Sequence, residues 1–160
     1  MLFDDVKIER EMRSFLTKAK AASLATIDVK GRPHAANVFY ACDETLNLFW
    51  TSKRDSAHSL HVEDKPQTAV TIYAQTRSPG RLHGVQMHGV AQAVPAQGEA
   101  HDHAWAVYCK RYPFAKLPPI KQKVLDRTFY CFTPTWIRWI DNRRGFGWKV
   151  ETELGETSDL

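Results

Sequence analysis

The sequence predicts a mainly β protein in a single domain, a barrel or sandwich with helices at its periphery. Three observations predict it. Alternating, β-branched and aromatic runs recur at short spacing from residue 23 onward. Only turns separate the first three of these runs, so no crossover helix is available to make them parallel neighbours. The chain's 160 residues, 43% of them hydrophobic and 11% aromatic with five Trp, suffice to fill one core.

The elements follow in order. Residues 5–20 bring Val6, Met12, Phe15 and Leu16 to one face at helical spacing, an amphipathic N-terminal helix. Residues 23–29 alternate as a first strand. Lys30-Gly31-Arg32-Pro33 is turn chemistry, and residues 34–42 return as the partner strand of a hairpin. Asp43-Glu44-Thr45 turns the chain into a third strand at 46–51. A short helix over 56–65 stops at Pro66, and a fourth strand covers 67–74. After a loop at 77–80, the long strand 82–94 carries Gly84 and Gly89, which point to a bulge or a barrel corner. Residues 96–112 have helical period. Residues 112–122 read as an irregular, proline-rich connection, and 127–141 as an aromatic β segment broken by Pro134. A turn at 142–147, a short strand at 148–152 and a polar, frayed tail at 153–160 complete the chain. There is no internal repeat.

Composition narrows the function. No apolar run is long enough to span a membrane, and the acidic N-terminus lacks the apolar core of a secretory signal. Cys42, Cys109 and Cys131 are odd in number and far apart, with no CxxC pair. Free thiols of this kind suit the cytoplasm. The net charge of +4 suits phosphate-bearing ligands; the basic residues are dispersed, which argues against nucleic acid. GxSxG, HExxH and GxGxxG are all missing. No metal site is expected: His101 and His103 point to different helix faces, and His58 and His61 lack an evident third ligand.

One segment is suited to hold an anion. Thr51-Ser52-Lys53-Arg54-Asp55-Ser56 runs from the third strand straight into a helix. It joins hydroxyls and a helix N-terminus to the charges of Lys53 and Arg54.

The strand LATID (24–28), the turn GRP (31–33), ANVFY (36–40), LFWTS (48–52) and DKPQTAVTI (64–72) resemble the pyridoxamine 5′-phosphate oxidase-like, FMN-binding split-barrel family. GVQMHGVAQAV (84–94), YCKRYPFAK (108–116) and DNRRGFGWK (141–149) look like its YhbP-type branch. The resemblance covers about residues 10–150. It implies a six-stranded Greek-key split barrel, a homodimer, and FMN in a groove between the subunits. The FMN phosphate then falls on Thr51, Ser52, Lys53, Arg54 and Ser56. The flavin ring falls along His34-Ala35-Ala36-Asn37, where two alanines leave room and Asn37 offers hydrogen bonds to a ring edge. A polar contact from the fifth strand falls on Gln86, or on Gly84 when the strands are aligned by Gly89. Residues 139–149 either close over a partner's flavin or form a plain turn.

One departure matters. The oxidase places an Arg-Lys pair before the Ala-His of this helix, and this chain has Asp55-Ser56 before Ala57-His58. An exposed acid there repels phosphate by about 1 kcal/mol, unless Asp55 caps the helix and turns away. The implied function is FMN binding in a flavin-dependent oxidoreductase other than pyridoxamine-phosphate oxidase itself. Two alternatives remain. The scaffold can bind haem through a histidine, or serve as a non-catalytic module that holds a deazaflavin or nothing.

Overall fold

The computed structural model describes residues 1–155; residues 156–160, most of the tail expected to fray, lie outside them. Helix α1 (Val6–Lys18) starts at Asp5, whose carboxylate accepts from the backbone N–H of Lys7 at 2.8 Å and of Ile8 at 3.3 Å. Its inner face is Ile8, Met12 and Leu16 at strict four-residue spacing. Val6, expected on that face, is exposed, because it sits in the first turn before the helix meets the sheet.

The strands are β1 (Ala21–Ile27), β2 (Pro33–Phe39), β3 (Ala41–Cys42), β4 (Leu48–Ser52), β5 (Gln67–Tyr73), β6 (His83–Ala93), β7 (Thr128–Asp141) and β8 (Lys149–Glu153). That makes eight strands where six were expected. The run 34–42 divides at buried Tyr40, whose hydroxyl donates to the Leu16 carbonyl at 2.7 Å, and β8 adds to the far half of β7. All pairings are antiparallel, in the order β2-β1-β5-β6-β7-β4-β3. The two ends of this order, β2 and β3, are separated in sequence only by Tyr40. The sheet must therefore curl back on itself, which gives the half-open barrel.

Strand β7 is not broken by Pro134. It runs unbroken, with Gly89 of β6 opposite Pro134 and His88 opposite Trp136. The one-residue offset is a bulge at Thr135, and the strand bends there. Before the bend β7 pairs with β4, and beyond it with β8. Gly89 is needed at this corner. A Cβ on it would run into the Thr133 carbonyl and the Phe132 ring.

Helices α2 (Ala57–Asp64), α3 (Glu99–Arg111) and α4 (Pro118–Leu125) lie outside the barrel. The last was expected to be irregular. Pro118 and Pro119 occupy its first turn, where a missing N–H costs nothing. Strand β4 is buried on both faces. Leu48 and Trp50 enter the barrel core with Leu24, Val70, Met87 and Phe132, while Phe49 packs outward with Ala104, Val124 and Phe129 beneath α3 and α4.

The outer face of β2, β1, β5 and β6 carries no helix in this way. Ala35 lies opposite Ala25, Ala25 opposite Ala69, and Ala69 opposite His88, a row of small side chains ending in a histidine. Phe39 and Tyr73 are exposed large hydrophobic residues on the same outer side.

Candidate functional site at the β4–α2 turn

The chain leaves the sheet at Ser52 and enters α2 at its N-cap, Ser56. Asp55, which could have capped the helix, does not. Ser56 Oγ donates instead to the Lys53 carbonyl at 2.8 Å and lies 2.8 Å from Ser59 Oγ. No side chain caps α2, and its first turn holds no acid. The N–H groups of that turn are thus left without a side-chain acceptor, at the positive end of the helix dipole.

The two cations of the turn behave differently. Lys53 is exposed and makes no ion pair among the described residues. Arg54 reaches along the helix to Glu63 at 3.2 Å.

Behind the turn lie contacts that join four elements, β4, α2, β2 and β1. Ser52, almost fully buried, has its Oγ 2.8 Å from His58 Nε2, and Ser56 Oγ is 3.3 Å from the same nitrogen. His61 packs its ring edge-on against His34 of β2, centroids 5.2 Å apart, and its Nδ1 lies 3.0 Å from Thr26 Oγ1 of β1. Burial, then the nearby His34 and His61, hold the His58 imidazole below the usual histidine range. Among the described residues no group of three or more His, Cys, Asp or Glu could hold a metal ion.

The segment His34–Asn37 divides by the alternation of β2. His34 and Ala36 are half-buried, with His34 turned toward α2, while Ala35 and Asn37 are exposed on the outer face. Asn37 Oδ1 accepts from Ser23 Oγ at 2.6 Å. Because β2 pairs only with β1, its other edge offers unpaired backbone groups beside the turn.

The His34–His61 contact brings the ring segment and the phosphate segment together. Gln86 stands apart. It shares a cross-strand row with Asn37, but Ser23 and Thr71 lie between them, a separation of about 14 Å at three strand spacings. Its side chain meets Arg138 at 3.4 Å instead.

The turn at 142–147 is likewise tied down. Arg143 bonds Asp141 at 2.7 Å, and Arg144 bonds Glu11 at 2.6 Å while stacking over Trp148. Sequence reasoning grouped His58 with His61 but missed Thr26, and the inward alternation of β1 was the available signal.

Comparison with known proteins agrees with this fold. The model of the pyridoxamine 5′-phosphate oxidase family matches residues 8–141. The chain belongs to that family. A relative from Photorhabdus laumondii, the UPF0306 protein plu4501, is 31% identical over 118 residues, which cover 72% of this chain and 75% of the relative.

Among solved structures, a heme binding protein from Mycobacterium smegmatis superposes with a TM-score of 0.75 at 20% identity, over 94% of this chain and 60% of that one. A pyridoxinephosphate oxidase family protein from Clostridium acetobutylicum, related to general stress protein 26, gives 0.66 at 14% identity over 94% and 96%. At these identities the likeness establishes the fold.

The β4–α2 turn passes a test of fit for a phosphate in this family member. Its helix N-terminus is uncapped, its first turn is free of acid, and Lys53 makes no ion pair among the described residues; exposed Asp55, which does not cap α2, opposes this by about 1 kcal/mol. The outer-face row of Ala35, Ala25 and Ala69 presents only small side chains across three strands.

Proposed function

We propose that this protein binds FMN and serves as a flavin-dependent oxidoreductase for a small molecule. The observation that carries the reading is the uncapped N-terminus of α2 beside exposed Lys53. Backbone N–H groups there would bond phosphate oxygens while Lys53 supplies charge. Ser56, whose hydroxyl donates to the Lys53 carbonyl, would help to shape the turn, and Thr51, bonded to Tyr108, would stand behind it. Ser52 is buried on His58 and would act by holding the turn in place. Arg54, engaged by Glu63, would contribute only by releasing that acid.

FMN, when bound, would supply hydride or electron transfer. The chain would supply position. Ala35 would leave room for the ring, Asn37 would offer its amide N–H to an edge, and the free edge of β2 would offer backbone groups. A second copy packed over the alanine row of β2, β1 and β5 would bury Phe39 and wall the ring from water.

One observation favours a second reading, haem. His88 is exposed on the outer face with its ring stacked on Trp136, centroids 4.5 Å apart, and makes no hydrogen bond through its ring nitrogens among the described residues. Such an imidazole is available as an axial ligand. The absorption spectrum of freshly purified protein separates the two. Flavin bands, or saturable flavin quenching on adding FMN to colourless protein, support the first reading. A Soret band lost in His88→Ala supports the second, and binding of neither cofactor removes both.

A further inference from the structure

A large groove among the described residues lies away from the β4–α2 turn. It measures about 1110 Å³ and lies between α1, the outer face of β1 and β5, and the start of the β7–β8 turn. Three features of its walls point to one kind of ligand.

The first is charge. Arg10, Lys18 and Lys20 line the groove, are exposed, and make no ion pair among the described residues. The groove's other cations, Arg143 and Arg144, are neutralised by Asp141 and Glu11. Nor are the lysines needed to cap α1. Arg111 does that, donating to the Lys18 and Ala19 carbonyls at 3.0 Å each. The cavity therefore has three cations without an acid to answer them.

The second is an aromatic wall. Half-buried Phe15 and His83 pack over the fully buried Trp139, centroids 5.3 to 6.0 Å apart, and Tyr73 stands exposed beside them. His83 Nδ1 lies 2.9 Å from the Arg81 carbonyl, so its ring is held in place. The third is polarity. Asn37 enters the groove with its Oδ1 already taken by Ser23, which leaves the amide N–H donors to face a ligand. The groups left free in this wall are chiefly donors, and a flat ring has aromatic partners to stack on.

We propose that this groove binds an aromatic small molecule carrying two or more anionic groups, as a phosphorylated nucleotide does. The site is separate from the β4–α2 turn and meets the proposed ring segment of β2 at Asn37, where a second reactant would approach a bound ring. That last clause rests on the flavin reading, whereas the groove and its ligand class do not.

The test uses NADPH as probe, read by quenching of tryptophan fluorescence in the full chain. Saturable NADPH binding is expected, weakened at least tenfold in Lys18→Glu/Lys20→Glu and displaced by inorganic pyrophosphate. FMN affinity of the same variant should not change. Arg10→Glu provides an independent variant, and urea midpoints confirm that each is folded. No NADPH binding, or binding indifferent to both variants, overturns the proposal. A variant that loses FMN as well assigns the groove to the flavin itself and also overturns it. Loss of FMN binding in Lys53→Ala with NADPH binding intact supports two separate sites. Protein that binds NADPH but never FMN removes the flavin reading and leaves the groove standing.

Discussion

Ser52 Oγ lies 2.8 Å from His58 Nε2, a contact that fastens the last residue of β4 to the first turn of α2. It fixes the turn from below while its upper side, Lys53 and the uncapped helix end, stays open. The division of labour explains why a hydroxyl in an anion-binding sequence can be almost fully buried.

The contact makes stability depend on pH. His58 titrates below the usual histidine range when folded, chiefly through burial. The unfolded chain therefore binds more protons between that lowered value and the ordinary one near about 6.5. Stability rises with pH across this window and falls as pH drops through it. His58→Gln, which keeps a side-chain hydrogen-bonding group, should lower the urea midpoint at pH 8 and flatten the difference between pH 5 and pH 8. An unchanged pH difference in the variant would remove His58 as its source.

Gly89→Ala should be destabilising. The added Cβ meets backbone at Thr133 and the buried Phe132 ring, neither of which can swing away. A loss of about 1–3 kcal/mol is expected, measured by urea unfolding. A variant as stable as the parent would mean that the bulge opposite Pro134 can relax.

Ala69→Arg tests the outer face. Ala69 sits mid-sheet between Ala25 and His88. If a second copy packs there, the parent chain should sediment as a dimer and the variant as a monomer, with the fold retained by circular dichroism. A monomeric parent, or a variant that still dimerises, would place any subunit contact elsewhere.

Much of the fold is legible in the sequence because alternation and turn residues are local signals. The hairpin 23–42 and the bulge foreshadowed by Gly89 are examples. Helix α4 was hidden because Pro118 and Pro119 read as breakers, although a first helical turn accepts them. The division of 34–42 at Tyr40 was hidden because only the distant Leu16 carbonyl reveals why the chain bends there.

For the site, the β4–α2 turn and its hydroxyls could be read directly. The capture of Arg54 by Glu63, nine residues on, could not. Nor could the joining of Ala25, Ala35 and Ala69 into one row, since strand order is a property of the closed sheet. Gln86 was placed by family position alone, and within one chain the β1 and β5 strands stand between it and Asn37.

The most direct test of the central claim is an FMN titration, followed by flavin fluorescence, of the parent chain and of Lys53→Ala at equal salt. Saturable binding by the parent is expected, weakened in the variant by about 1.5–3 kcal/mol, the usual loss for a hydrogen bond to a charged group. Equal affinity in the two proteins would contradict the assignment of the phosphate to the β4–α2 turn.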